Sequence, residues 1–193
     1  EESEKIWCDL GIKDVRECGR ADNFWGPTGN EGPCGPTTEI YVNSLEIWNI
    51  VFNEYYCRTD GSLEKLSILG VDTGMGLERL AMVVQGKKNI FETDLFVPII
   101  SHLSADITDE RTKRIITDHL RAISFLISDG VTPSNKGASY VLRRLLRRVI
   151  SYNYDVMPTI GLVIDNHKTF YPELSQPKII EIFDEEKTKY SEA

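Results

Sequence analysis

Residues 71–80 constrain the fold of this chain more than any other stretch of its sequence. The apolar run that leads into them, residues 67–71, predicts a buried strand, and Asp72 places a carboxylate at the end of that strand. Gly74 and Gly76 then remove two side chains, which leaves bare backbone on which a flat ligand can lie. The pattern predicts a strand that ends at a ligand-binding position.

A helix is predicted directly after these glycines. Leu77, Leu80, Ala81 and Val84 recur at helical spacing, so Arg79 would lie near the positive end of the helix, where its guanidinium can meet a phosphate. A strand, a glycine gap and a helix with an early arginine suit a nucleoside triphosphate. Short glycine patterns are weak evidence, however, and the alternative is a glycine turn followed by a surface arginine.

The segment before this stretch predicts a loop. Residues 26–36 are so dense in glycine and proline that we expect neither helix nor regular strand there. Trp25 and Glu39 flank the loop and a strand-like segment, residues 38–42, follows it, so two interpretations stay open. The loop is either a rigid wall of a binding pocket or a structural turn.

A pair of antiparallel strands is predicted next. Residues 45–56 are rich in β-branched and aromatic side chains that alternate between two faces, and residues 63–71 would return beside them. Asn49 and Val51 would then face the same side as a ligand that lies over Asp72. The sequence thus predicts a sheet with one ligand-facing surface.

Helices dominate the rest of the chain, which predicts an α+β fold with two domains, residues 1–103 and 104–193. The predicted helices span residues 77–85, 93–103, 108–129, 138–152 and 178–190. Their predicted buried residues are Ile116, Leu120, Ile123 and Ile127, then Val141, Leu142, Leu145, Val149 and Ile150, and finally Ile179, Ile182 and Phe183. In the last helix Glu181, Asp184, Glu185 and Glu186 would face outward. His119 is predicted to be packed rather than catalytic.

Charge is distributed unevenly. The whole chain carries −8, yet residues 111–150 hold nine Lys or Arg and only two Asp. Arg143 with Arg147, and Arg144 with Arg148, form two columns at i, i+4 spacing, without an acidic residue between positions 138 and 152. This pattern favours contact with a phosphate backbone over mere solubility, since a solubilising face would carry interspersed Glu.

The cysteines and the apolar runs of the sequence indicate in which cellular compartment the protein is located. The four cysteines, which include no CxxC pair, argue against a zinc site and favour a reducing compartment, so we expect a cytoplasmic protein. No apolar run approaches the roughly 20 residues that span a bilayer. Because the chain begins without Met and stops without a cap signal, we expect further segments at both ends.

Several stretches together resemble the alanyl-tRNA synthetases, a family of class II. The resemblance covers nearly the whole chain in the family's order and spacing. The stretches are Asn23-Phe24-Trp25 with Gly32 to Pro36, Glu46 to Phe52, Val71 to Arg79, Asp118 to Arg121, Asp129 to Val131 with Pro133-Ser134-Asn135, and Tyr140 to Arg144. The resemblance implies the C-terminal half of an antiparallel-sheet catalytic domain, followed by an all-helical domain that recognises tRNA.

The resemblance also implies substrates and site residues. The family activates alanine with ATP and Mg²⁺ and transfers it to tRNA. By motif, alanine would bind at Trp25, Val51, Asp72 and Gly74, with Asp72 on its ammonium group. ATP would bind at Gly74, Gly76 and Arg79. The acceptor stem of tRNA-Ala would contact Asn135, which resembles the asparagine that reads a wobble pair in the minor groove, and the arginines 143, 144, 147 and 148.

Departures from the family pattern qualify this interpretation. The first two class II motifs, including the arginine that contacts the α-phosphate, lie outside these residues, so we expect the chain alone to make no alanyl-adenylate. The link from Val42 to Leu45 is much shorter than is usual, Thr37 replaces a frequent cysteine, and Ala138-Ser139 replaces a frequent Arg-Gly. Two alternatives stay open: an RNA-binding module with an idle half-site, and a synthetase-like relative that uses another substrate.

Overall fold

The computed structural model describes residues 2–103, 107–174 and 176–192 and divides into two compact units, Glu1–Gly86 and Lys87–Ala193. This division precedes the boundary predicted after residue 103. The reason is the helix Val97–Leu103, which contributes Ile99 and Leu103 to the core of the second unit. The assignment of functions to residues 1–103 and 104–193 stays a prediction.

The first unit is built on a four-stranded antiparallel sheet in the order β1-β2-β3-β4. Its elements are α1 (Glu2–Asp9), β1 (Phe24–Trp25), β2 (Gly32–Val42), β3 (Leu45–Cys57), β4 (Leu63–Met75) and α2 (Leu77–Val84). The predicted antiparallel pair, the helix after the glycines and the α+β fold are therefore confirmed.

The prediction that residues 26–36 exclude regular strand is wrong for the second half of that segment. Strand β2 begins at Gly32, and Pro33 lies opposite Tyr56 of β3. The register between β2 and β3 shifts between Cys34 and Thr37, and Pro36, which cannot donate to a regular ladder, lies within this irregularity. At Gly35 an added Cβ would lie 1.7 Å from the Phe52 carbonyl oxygen, so only glycine fits there.

A two-residue turn joins β2 to β3. Asn43 and Ser44 both have left-handed backbones, with φ of 50° and 64°. This is the conformation of a type I′ turn, whose twist matches the twist of the flanking strands. The short link between Val42 and Leu45 is thus a closed hairpin that pairs the two strands up to their ends.

The burial predicted for residues 67–71 is wrong, although the strand itself is present. Ile68, Leu69 and Val71 on β4 are 84%, 63% and 66% exposed. Within the described residues β4 is an edge strand, paired with β3 on one side only, so its side chains are not covered.

The second unit is helical. A 3-10 helix (Ile90–Glu92) precedes α3 (Val97–Leu103), α4 (Glu110–Ser128), α5 (Gly137–Ile150), α6 (Met157–His167) and α7 (Gln176–Ser191). The predicted single helix over residues 93–103 is shorter than expected. Pro98 lies in the first turn of α3, where its missing N–H costs no hydrogen bond.

The core of this unit confirms most of the predicted buried faces. Ile116, Leu120, Ile123 and Ile127 of α4 are fully buried, as are Leu142 and Val149 of α5 and Ile179 of α7, while Phe183 is 3% exposed. Two predictions are wrong. Val141 of α5 was predicted to be buried but is 53% exposed, and Leu146 is buried instead. Glu186 of α7 was predicted to face outward but is only 1% exposed.

Candidate active site and nucleic-acid interface

Two rows of side chains cross one face of the sheet. Val51 on β3 lies opposite Thr37 on β2 and Asp72 on β4. Directly opposite residues of antiparallel strands share a face, so the three form one row. The next row along the strands contains Glu39, Asn49 and Gly74. The structure thus brings together Val51, Asp72 and Gly74, three of the four residues predicted to bind alanine.

A polar network occupies the β2 side of this face. Glu39 Oε1 accepts a hydrogen bond from Asn49 Nδ2 at 3.2 Å, and Oε2 accepts one from the Tyr41 hydroxyl at 2.7 Å. The bond from Tyr41 stabilises its protonated form, so the Glu39 carboxylate raises the pKa of Tyr41 to about 12. The Oδ1 atom of Asn49 is buried without a hydrogen-bond partner among the described residues. This face therefore carries both a carboxylate and an available acceptor beside Gly74.

The carboxylate of Asp72 is exposed and lies in the strand rather than at its end, since β4 continues to Met75. Its Oδ1 accepts a hydrogen bond from the backbone N–H of Thr73 at 2.8 Å. That bond orients the side chain locally but leaves the second oxygen for other partners. At Gly74 an added Cβ would meet nothing within 4 Å, so the space above this backbone is open. An open carboxylate beside bare backbone can receive an ammonium group.

Arg79 lies in the first turn of α2, at the end of β4. Its Nη1 donates to the Glu46 carbonyl oxygen at 2.9 Å and lies 3.5 Å from the Glu46 carboxylate. A Cβ at Gly76 would come within 3.2 Å of the Arg79 side chain, so this glycine gives the arginine its room. The sequence did not reveal Glu46 as the partner of Arg79, because the two are far apart along the chain.

Trp25 is not brought beside Asp72. It lies on β1, opposite Gly35 of β2, and it is 39% exposed. Two strands separate β1 from β4, which corresponds to roughly 14 Å between the outer strands at ordinary strand spacing. The role of Trp25 in an alanine pocket stays a prediction.

The two arginine columns of α5 lie in different environments. Arg144 and Arg148 are exposed, and the Arg144 guanidinium lies 5.8 Å from the ring centre of Tyr140, which is itself 46% exposed. Arg143 and Arg147 are half-buried, and Glu186 from α7 supplies their counter-charge. The sequence has no acidic residue between positions 138 and 152, but the fold brings the carboxylate of Glu186 beside these two arginines.

Other parts of the basic segment are also engaged. Lys113 is buried and pairs with Glu110, while Arg114 lies 5.5 Å from the ring centre of Phe91. The side chain of His119 is only 14% exposed, in keeping with a packed histidine, and its hydrogen bond lowers the pKa of Asp118. Arg144 and Arg148 are therefore the cations of α5 that are best placed to meet a phosphate backbone.

Among residues 2–103, 107–174 and 176–192, no helix is both long and apolar enough to cross a membrane. Within that described part, no group of three or more His, Cys, Asp or Glu side chains is placed to hold a metal ion. The prediction that the chain lacks a zinc site stays a prediction.

Comparison with known families gives a match over the full length of the chain. The family model for class II (A) tRNA synthetases covers residues 1–193. The chain belongs to this family. Its antiparallel sheet and helical second unit agree with that membership, and the resemblance seen in the motifs is confirmed.

Curated relatives of this class II synthetase chain are alanine–tRNA ligases. One from Dehalococcoides mccartyi (strain BAV1) is 36% identical over 231 aligned positions, which cover 100% of this chain and 26% of the relative. One from Borreliella afzelii is 40% identical over 92% of this chain and 36% of the relative. One from Rubrobacter xylanophilus is 38% identical over 79% of this chain and 21% of the relative.

The chain matches only part of the length of each of these relatives. The chain spans between 21% and 36% of the three relatives. The alignment to the Dehalococcoides mccartyi enzyme needs 231 positions for a chain of 193 residues, so that class II relative contains residues without counterparts here. The prediction that the link from Val42 to Leu45 is shorter than is usual in the family stays a prediction.

Proposed function

We propose that this chain supplies the alanine-binding face and the acceptor-stem contacts of an alanine–tRNA ligase. The observation that carries the proposal is the shared sheet face on which Val51, Asp72 and Gly74 lie in adjacent rows, with Arg79 at the end of the same strand. The names of the curated relatives support the choice of alanine.

The chemistry assigned to this face is amino-acid activation. Asp72 pairs with the ammonium group of alanine, Val51 borders its methyl group, and open backbone at Gly74 admits it. The alanine carboxylate attacks the α-phosphorus of ATP, which arrives with Mg²⁺, and pyrophosphate leaves. Arg79, in the first turn of α2, exchanges Glu46 for a phosphate oxygen. The alanyl group then passes to the terminal ribose of tRNA.

Selection of alanine requires more than pocket size. One methyl group in an apolar pocket contributes only about 1–3 kcal/mol to binding, so pocket size alone discriminates poorly between alanine and other small amino acids. A carboxylate that pairs with the ammonium group selects amino acids over acids without an amine. The pairing of Asp72 therefore favours alanine over substrates that lack an amino group.

We also propose that the protein is located in the cytoplasm.

A chimeric enzyme tests the activation part of this proposal. The aligned segment of the Borreliella afzelii alanine–tRNA ligase, which is 40% identical, is replaced by this chain. We expect alanine-dependent ATP–pyrophosphate exchange by the chimera and none by the 193 residues alone. A folded chimera without exchange, but with RNA binding intact, would contradict activation and favour the RNA-binding module. Exchange with a different amino acid would favour the synthetase-like relative.

The acceptor-stem contact is tested at the exposed arginine column. We expect Arg144→Glu with Arg148→Glu to weaken binding of a tRNA-Ala acceptor-stem duplex about 20-fold at low salt, because two attractive charges become repulsive. The slope of log K against log salt should fall by about two. Fluorescence anisotropy over a salt series measures both quantities.

The control for this charge reversal is Lys168→Glu with Lys187→Glu, which changes the net charge equally at the residue after α6 and on α7 of the same unit. Lys168 is exposed and pairs with Asp165 on α6. A similar loss of binding in both double variants would mean that overall charge, rather than the α5 face, attracts the RNA.

A further inference from the structure

One face of α5 carries four exposed side chains along successive turns of the helix. They are Tyr140, Val141, Arg144 and Arg148, and we call them the α5 stripe. Tyr140 is 46% exposed and Val141 is 53% exposed, so a tyrosine ring and an aliphatic side chain lie in solvent on the same face as two cations. The α5 stripe thus combines apolar surface with positive charge.

The other faces of α5 are engaged within the protein. One face lies in the core of the second unit. Another carries Arg143 and Arg147, which share the buried carboxylate of Glu186. Arg143 also donates hydrogen bonds to the side-chain oxygen of Asn135 and to the carbonyl oxygen of Pro133. The α5 stripe is therefore the part of the helix that is left for an external partner.

Tyr140 and Arg144 lie one helical turn apart and contact each other. The Arg144 guanidinium lies 5.8 Å from the centre of the Tyr140 ring, within the range of a cation–π interaction. This contact restricts the tyrosine while nearly half of its surface stays exposed. A tyrosine also has only two side-chain torsions, so little entropy is lost when a flat ligand stacks on its ring.

The charge of the α5 stripe favours a nucleic acid as this ligand. Arg144 and Arg148 form no ion pair among the described residues, in contrast to Arg143 and Arg147. They lie four positions apart, about 6 Å along the helix axis, so a single phosphate strand can reach both. Bases within a duplex are already stacked and present only their edges, so the base that covers the Tyr140 ring must be unpaired.

We propose that the α5 stripe binds an RNA strand with unpaired bases, in which one base stacks on Tyr140 while Arg144 and Arg148 hold the phosphates beside it. The inference rests on the acceptor-stem contact proposed above and extends it from paired to unpaired nucleotides. A basic track beside an aromatic ring is how proteins hold single strands, and such stacking tolerates any base because every base has a flat face.

The test is a double-mutant cycle with a single-stranded RNA of ten nucleotides and a matched strand of stable abasic residues. Fluorescence anisotropy at low salt measures the affinity of the full 193-residue chain for both strands. We expect the wild-type chain to bind the strand with bases about tenfold more tightly than the abasic strand. Tyr140→Ala should bind both strands equally, as weakly as the wild-type chain binds the abasic strand, since its arginines still hold the phosphates.

Tyr190→Ala is the matched control for Tyr140→Ala. Tyr190 of α7 is 40% exposed and also lies beside a guanidinium, that of Arg147 at 5.7 Å, but Glu186 neutralises this arginine. The control should retain the preference for bases, and so should Tyr140→Phe, which keeps an aromatic ring. Tyr140→Leu keeps apolar bulk without a ring and should lose the preference, which separates base stacking from an apolar surface that a protein covers.

A wild-type chain that binds the two strands equally, or a preference that Tyr140→Ala or Tyr140→Leu retains, would overturn the inference while the acceptor-stem contact stands. A blunt acceptor-stem duplex completes the test. Tyr140→Ala should bind it within about twofold of the wild-type affinity, because paired bases cannot stack on the ring. An equal loss on duplex and single strand would overturn base stacking. A wild-type chain that binds neither RNA would overturn the acceptor-stem contact and this inference together.

Discussion

Gly35→Ala is expected to destabilise the sheet unit by about 3 kcal/mol or more, because the new methyl group has no space. Its Cβ would lie 1.7 Å from the Phe52 carbonyl oxygen, 2.8 Å from the Phe52 carbonyl carbon and 3.1 Å from the Glu54 backbone nitrogen. All three are backbone atoms of β3, so no side-chain rotation relieves the clash. Strands β2 and β3 would have to separate where their register already shifts.

The measurement uses the distribution of tryptophan in the chain. All three tryptophans, at positions 7, 25 and 48, belong to the first unit, so urea unfolding followed by tryptophan fluorescence reports on the sheet. Gly70→Ala is the matched control, because its added Cβ would approach only the Asn53 Cβ, at 3.9 Å. This control should change the free energy of unfolding by less than about 1 kcal/mol. Equal effects of the two variants would contradict the close approach at Gly35.

Asp72→Asn is expected to lower kcat/KM for alanine about 100-fold in the chimera, chiefly by raising the alanine KM. Asparagine has the same shape and can still accept the hydrogen bond from the Thr73 N–H, so the strand should be undisturbed. It lacks the negative charge, and the substrate ammonium would lose its ion pair in the active site. Steady-state ATP–pyrophosphate exchange over a series of alanine concentrations measures the change.

Asp60→Asn is the matched control for this substitution. Asp60 is also an exposed aspartate whose Oδ1 accepts a local backbone hydrogen bond, from Ser62 at 2.9 Å, and it lies in the turn between β3 and β4. It should leave both kinetic constants unchanged. Retention of the wild-type alanine KM by Asp72→Asn would remove Asp72 from the alanine site.

The sheet shows what alternation in a sequence can and cannot predict. Residues 45–56 are rich in β-branched and aromatic side chains, and the alternation of strand residues between two faces predicted β3 and the shared face of Val51 and Asp72. The same reasoning failed for the exposure of residues 67–71, because an apolar run looks alike in a central strand and in an edge strand. The identity of the neighbouring strand decides burial, and that is a property of the topology.

For Glu186 the helical spacing indicated a buried position, but its charge led to the prediction that it faces outward. Its position is seven residues after Ile179 and three after Phe183, so helical spacing places it on their buried face. A carboxylate is rarely fully buried without partners, and its partners, Arg143 and Arg147, lie about forty positions earlier on another helix. Only the packing of α5 against α7 explains why a charge belongs there.

The fork geometry of Arg143 has an evolutionary consequence. One planar guanidinium reaches Glu186 on a helix and both Asn135 and Pro133 in a loop, and the single ammonium group of a lysine cannot match these directions. Basic character alone therefore does not satisfy position 143. Across homologous sequences, replacements at positions 135 and 186 should covary with replacements at position 143, because Arg143 contacts both Asn135 and Glu186.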